Sequence, residues 1–382
     1  MKNCPLLLLL FLFNIQLLPA QDNKPYSFSG YLTMLQSSLF DSLSGPFVNE
    51  NILHNRLNFK RFVGDKITFA AELRNRLFTG DRVRMGNIYS DLMGTDDGFA
   101  DMSWNVIEKQ SLLLNTTIDR LWLDIQLGKF QITAGRQRIN WGQAFVWNPN
   151  DLFNAYSFFD FDYVERPGSD AVRLQYFPGS SAALELAVKS DRANDVTAAG
   201  LYRFNKWSYD LQFLAGIVNS EDLVLGTGWS GSIKNFSFRG EASWFYHDVD
   251  SLSGKNTLVA TTGFDRVFQD NSSVQLQFMY CNNPLALTSF DYFYSGSLSA
   301  KDLAFSKFSA FGQFTWAITP LLNTTLSAMW LPDLDGYFVG PSLDYSLGEN
   351  LDFSLVWQHF NSTLADKKMR INMVYLRLKY NF

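Results

Sequence analysis

From residue 26 onward, polar and apolar side chains alternate in segment after segment. Between Thr68 and Phe78 one parity reads Phe69, Ala71, Leu73, Leu77, and the other Thr68, Glu72, Arg74, Arg76. Between Ile118 and Leu127, Leu121, Leu123, Ile125 and Leu127 oppose Arg120, Trp122, Asp124 and Gln126. At the end of the chain Val374, Leu376, Leu378, Tyr380 and Phe382 oppose Tyr375, Arg377, Lys379 and Asn381. A period of two held this long is a strand signal, because helical spacing mixes the two sets. The pattern predicts eighteen strands, near 26–39, 51–63, 66–78, 112–126, 129–139, 169–178, 182–190, 196–204 and 207–218. It continues with 223–233, 236–247, 257–268, 272–282, 304–317, 321–331, 337–347, 350–361 and 369–382.

The connections decide how these strands are arranged. Short turns rich in Gly, Asn, Asp or Pro, such as Gly64-Asp65-Lys66 and Gly128-Lys129, alternate with long segments at 41–50, 79–111, 140–168, 248–256 and 283–303. Short on one side and long on the other is the layout of a transmembrane antiparallel β-barrel, with sixteen strands as the nearest miscount. A sheet crosses hydrocarbon only when closed, since every backbone N–H and C=O then finds a partner. Aromatic residues make up 16% of the chain, and Trp207, Tyr209, Trp244, Tyr246, Trp316, Trp330, Trp357 and Tyr380 fall near strand ends, as interfacial girdles require. A soluble β-sandwich or propeller is the rival for the alternation alone.

The first twenty residues stand apart. Lys2, the apolar run Leu6 to Phe13 and Leu18-Pro19-Ala20 have the pattern of a secretory signal peptide, so the expected domain is a single barrel over 21–382 with an inserted loop at 140–168. Beyond that leader only Cys281 remains, which leaves no disulfide and no zinc framework. His54, His247 and His359 are scattered, and no metal-protease, P-loop, dinucleotide or Gly-x-Ser-x-Gly motif occurs. With 37 Asp and Glu against 32 Lys and Arg, no cofactor and no nucleic-acid partner are expected.

An eighteen-stranded barrel has room for an aqueous channel. The inward parity of the early strands places Arg56, Lys60, Glu72, Arg74, Arg76, Arg120, Asp124 and Arg173 on the pore lining, an arginine-rich side able to guide anionic solutes. Cross-strand pairing of the same charges is the plainer account. Glu185, Asp210, Arg239, Glu241, Asp344 and Asp352 are inward on the later strands.

The 140–168 segment holds nine aromatic residues between Trp141 and Tyr163, too many for a solvated loop, and so it is expected to fold into the barrel. Arg136, Arg138 and Arg166 are expected to anchor it against Asp151, Asp160, Asp162 or Asp170, with Trp141 and Trp147 in the constriction. Rings interleaved with carboxylates also suit carbohydrate.

Three stretches carry a resemblance: Gly135-Arg136-Gln137-Arg138-Ile139-Asn140-Trp141-Gly142, then Trp147-Asn148-Pro149-Asn150-Asp151-Leu152-Phe153-Asn154, then Glu165-Arg166-Pro167-Gly168-Ser169-Asp170-Ala171. This resembles a family of poorly characterised bacterial outer-membrane channels related to alginate-export and substrate-selective porins. The resemblance implies a monomeric, loop-constricted diffusion channel in a Gram-negative outer membrane. Arg136, Arg138, Asp151, Arg166 and Asp170 would then form a charge network fixing the loop. The partners would be outer-membrane lipids, a polar solute or carbohydrate in the lumen and, from the terminal Phe382, the barrel-assembly machinery. Two other readings are a surface polysaccharide-binding or export barrel, and a barrel hydrolase built on His247 with Asp248 or Asp250.

Overall fold

The structure, a computed structural model, describes residues 24–156, 158–159, 165–247, 255–286, 299–364 and 367–382. Its strands begin with β1 (Tyr26–Phe40), β2 (Val48–Val63), β3 (Ile67–Gly80), β4 (Ser103–Lys109), β5 (Leu112–Leu127), β6 (Phe130–Gln137) and β7 (Ser169–Gly179). Next come β8 (Ala182–Ser190), β9 (Val196–Lys206), β10 (Tyr209–Val218), β11 (Asp222–Ile233), β12 (Phe236–His247) and β13 (Thr257–Val267). The last six are β14 (Ser273–Cys281), β15 (Phe308–Thr319), β16 (Leu322–Leu331), β17 (Gly336–Gly348), β18 (Leu351–Leu364) and β19 (Lys367–Asn381). Among the described residues one short helix, α1 (Asn87–Gly94), follows a 3-10 turn at Val83–Met85, and a second 3-10 turn lies at Pro332–Leu334.

Consecutive strands pair antiparallel, and β1 pairs with both β2 and β19, so the sheet closes on itself. Gly30 and Phe382 exchange backbone hydrogen bonds of 2.8 and 2.9 Å at this closure. β4 lies outside the circuit, which leaves eighteen strands in a closed antiparallel barrel, as the alternation predicts. At one end every hairpin is tight, and Gly64, Gly128, Trp207, Ser208 and Lys234 take the positive φ that such turns demand. The other end carries the long connections as well as tight turns such as 219–221, where Asn219 and Ser220 also have positive φ.

β4 is absent from the sequence reading, and it repairs a gap. β6 leaves the wall at Gln137 and pairs with only the lower half of β5, from Leu121↔Arg136 to Leu127↔Phe130. β4 takes the vacated edge of β5, from Ser103↔Thr117 to Lys109↔Leu112. One wall position is thus shared by two strands, and the chain leaving β6 is free to turn inward.

The outer face carries the large exposed apolar side chains, among them Leu123, Val172, Leu186, Phe213, Leu225, Phe314 and Trp330. The expected girdle residues Trp207, Trp244, Tyr246, Trp316, Trp330, Trp357 and Tyr380 are all exposed there. Inside, one apolar cluster joins residues 139–159 to inward side chains such as Leu201, Leu214, Phe245, Phe311, Phe338 and Phe360, and to Ala300, Leu303, Ala304 and Phe305 of the β14–β15 connection. A second cluster seats Tyr89 of α1 on Leu35, Ile52, Phe78 and Leu113. Three long-loop segments therefore fold back into the barrel.

Candidate functional site: a loop seated inside the barrel

The connection after β6 crosses the lumen and is read by polar side chains from the opposite wall. Inward positions are the alternates of the exposed ones, so Gln212 between the outward Leu211 and Phe213 faces the loop. Its amide donates to the Trp141 carbonyl at 2.8 Å. Glu241 on β12, fully buried, accepts the backbone N–H groups of Gln143, Ala144 (2.7 Å) and Asn150 (3.0 Å). Gln277 on β14 accepts from the Val146 N–H at 2.9 Å and donates to the Trp147 carbonyl at 3.1 Å. Gln358 on β18 donates to the Phe159 carbonyl at 3.4 Å. A backbone without regular structure has its N–H and C=O groups to satisfy, and the inner wall supplies the partners.

Asn150 is held most closely. Its amide donates to the Thr227 carbonyl at 3.0 Å and accepts from the Ser243 hydroxyl at 2.7 Å. The niche exists because the inward positions of β11 there are Gly226 and Gly228; a Cβ on Gly226 would lie 2.8 Å from the Asn150 Oδ1. Around this polar core the aromatics pack edge to face: Trp141 on Phe153 (5.0 Å), Phe158 on Phe311 (4.9 Å), and Phe159 on Phe338 and Phe360 (5.2 and 4.8 Å). Trp141, 1% exposed, also donates its indole N–H to Glu185 at 3.1 Å. Trp147 is buried as well.

The charge network contains the expected pair of Arg136 with Asp170 and adds Asp96. Arg136 pairs with Asp170 (2.7 and 2.9 Å) and with Asp96 (2.6 Å), and donates to the Ala100 carbonyl at 2.7 Å. Arg138 and Arg166 lie over the Tyr156 ring, at 5.9 and 3.7 Å from its centroid. Asp151 is fully buried, and neither of its oxygens has a well-formed hydrogen bond among the described residues. Burial pushes its carboxyl up to about 7, against the opposing pull of Arg138, the Trp141 N–H and Lys189. Asp160 and Asp162 lie outside the described residues.

The inward arginines are paired, in keeping with the plainer of the two accounts of these charges. Arg56, 1% exposed, bonds Glu72 (2.5 Å) and Asp119, and the Nε of Arg74, also buried, lies 3.3 Å from Asp119. Arg120 donates to the carbonyls of Glu165 (2.9 Å) and Arg166 (2.7 Å), clamping the far end of the loop. Arg76 holds Asn115 (3.0 Å) and the Met93 carbonyl (3.3 Å) beside α1. Asp124 accepts from Gln131 and Thr133, Arg173 pairs with Glu185 at 2.6 Å, and Lys60 is half-buried on the same parity of β2. Asp119 escaped the sequence reading because a bulge sits there: Glu72 pairs with Arg120 but Leu73 with Ile118. That extra residue turns both Asp119 and Arg120 inward, which strict period two forbids. His247 is paired with Asp222 (2.9 Å), whose carboxylate also binds Lys301 (2.9 Å); Asp248 and Asp250 lie outside the described residues. Among the described residues no cluster has the makings of a metal site.

No protein-family model matches the chain, and no curated protein matches it. Solved structures do. OccAB3 of Acinetobacter baumannii superposes with a TM-score of 0.62 at 12% identity, over 94% of this chain and 99% of that one. OpdQ of Pseudomonas aeruginosa gives 0.58 at 9% identity, over 94% and 99%. The outer membrane protein OpdK of Pseudomonas aeruginosa gives 0.59 at 9% identity, over 93% and 98%. The likeness is one of fold. It runs the whole length of the barrel, so the eighteen-strand circuit is that of known outer-membrane proteins.

Proposed function

We propose that this chain is a porin-like channel of a Gram-negative outer membrane, passing small or oligomeric polar solutes by diffusion, with the 140–168 loop as its constriction. The observation that carries the reading is the closed barrel, apolar outside, with a chain segment held in its lumen by inner-wall hydrogen bonds from β10, β12, β14 and β18. Closure permits the strands to cross hydrocarbon, and eighteen strands enclose more space than side chains alone fill. The solved structures of like fold are outer-membrane channels of the substrate-specific porin type. Outer-membrane lipids would bathe the exposed aromatics, and Phe382, hydrogen-bonded at the β1–β19 closure, would be the end presented to the assembly machinery. The kinship with alginate-export barrels suggested by the three motif stretches belongs to the same proposal. Charge pairing at Arg56 and Arg74 gives no support to an anion-guiding column.

The test is a planar-bilayer recording of the purified, folded protein in symmetric KCl. Discrete conductance steps are expected. A folded barrel that binds polysaccharide but conducts nothing would establish the surface-binding reading in its place.

A further inference from the structure

β14, β15 and β16 are three neighbouring strands that together carry no Asp, Glu, Lys, Arg or His. No other two adjacent strands of the described barrel share this. Toward the tight-turn end their inward side chains are polar and fall into rows, whereas toward the other end Met279, Cys281, Phe311, Met329 and Leu331 are buried in the apolar cluster under the seated loop. Gln275, Gln313 and Ser327 are register partners, and one row nearer the tight-turn end so are Ser273, Thr315 and Thr325. All but Ser327 are half-buried, hence reachable from the lumen. Elsewhere on the inner wall charges occur and are committed to one another, as in Arg56–Glu72, Arg173–Glu185 and Arg239–Asp265.

We infer that the solute of this channel is a neutral polyhydroxylated molecule, a sugar or short oligosaccharide, that passes over the uncharged polar rows at the tight-turn end of β14, β15 and β16. The inference rests on the channel reading and adds the solute class to it. An ion drawn onto this wall loses hydration and meets no opposite charge, which is unfavourable. A hydroxyl exchanges one water hydrogen bond for one from the wall at little net cost. The side chains match that need. Each hydroxyl and each amide both donates and accepts, as each sugar hydroxyl does, whereas an anion uses only donors and a cation only acceptors. The internal bonds leave capacity over: Thr315 and Thr325 share one bond of 3.0 Å, and Ser327 occupies only the Oε1 of Gln313, at 2.9 Å.

The experiment compares maltose with lactobionate, a disaccharide carboxylate of similar size, as blockers of KCl current through single channels. Maltose should interrupt the current in a concentration-dependent way, and lactobionate should do so at least several-fold more weakly. Thr315→Val with Thr325→Val removes two hydroxyls and keeps β-branched residues in place. It should weaken maltose block about thirtyfold, since each of the two lost hydrogen bonds is worth about fivefold, with KCl conductance unchanged. Should the double variant fail to assemble, Gln313→Leu provides the same comparison. Equal or stronger block by lactobionate, or unchanged maltose block in a conducting variant, overturns the inference and leaves the channel intact. A folded wild-type barrel without KCl conductance overturns the channel reading itself, and the inference with it.

Discussion

At the scale of the residue, two buried carboxylates on the seated loop and its wall act in different ways. Glu241 is saturated: three loop N–H groups converge on it from Gln143, Ala144 and Asn150. Glu241→Ala leaves three donors unpaired, the Asn150 N–H fully buried and those of Gln143 and Ala144 half-buried, at up to about 1–3 kcal/mol each. The barrel has its own backbone ladder, so the loop is the part expected to let go. Limited proteolysis should therefore cut residues 141–151 in the variant, with the heat-modifiable band of the folded barrel retained; Glu241→Gln, which keeps an acceptor, should be cut less. Asp151 is the opposite case, buried and poorly bonded, among Arg138, Lys189, Tyr156 and Glu241. Its seated carboxyl titrates near 7 and its released one near 3.8. The seated state therefore holds its proton to higher pH. Seating is strongest below about pH 4 and weakens by about 1.4 kcal/mol per pH unit up to about 7, then levels off. Acid should tighten the loop: proteolysis of 141–151 is expected to be slower at pH 5 than at pH 7.5. Asp151→Asn should be slow at both, and an unchanged pH response in that variant would remove Asp151 from the account.

Among elements, the seam between β4 and β6 depends on Arg136. Its guanidinium ties Asp170 of β7 to Asp96 and the Ala100 carbonyl, on the chain leading into β4, at the level where β6 leaves the wall. Arg136→Ala strands two acidic partners in a half-buried place, where breaking a pair costs about 3–5 kcal/mol. The expected result is a lower urea midpoint and loss of protease resistance at 95–103, with Arg136→Lys intermediate because it cannot make the forked contact. This seam also marks where sequence was legible and where it was not. Each of the eighteen wall strands follows from period two and turn chemistry, because both are local. β4 does not: its Ser-Trp-Asn-Val-Ile-Glu-Lys run is short, and a bulge between Asn105 and Ile107 breaks its alternation. Asp119 was hidden by a bulge of the same kind. The inward fold of the loop was legible from its aromatics, but its anchors were not. Glu241, Gln277 and Gln358 lie some 90 to 200 residues from the loop positions they bind, and one polar residue on an inward parity looks like any other.

For the whole molecule, the wall and its contents have separable sources of stability. The wall is a closed ladder of backbone hydrogen bonds in which every strand of the circuit has two neighbours. The contents are held by side chains: aromatic packing of Phe158 and Phe159 on Phe311, Phe338 and Phe360, and the hydrogen bonds to Gln212, Glu241 and Gln277. Deleting residues 145–163 while keeping β6 and β7 removes most of the contents and none of the ladder. It exposes Phe311, Phe338 and Phe360 to the lumen, a loss of about 25 cal/mol for each Å² of apolar surface wetted. It also leaves Arg120 and Arg136 at the loop's ends with their remaining partners, including Asp119 and Asp170. The deleted protein should therefore still run as a folded barrel, with somewhat reduced thermal stability, because the circuit β1–β19 is untouched. Its single-channel conductance should rise several-fold, since the segment crosses the lumen from β6 to the walls of β12, β14 and β18. A folded deletion protein with wild-type conductance would mean that ions pass beside the loop and are not limited by it. The loop would then be a brace for the barrel and not its constriction.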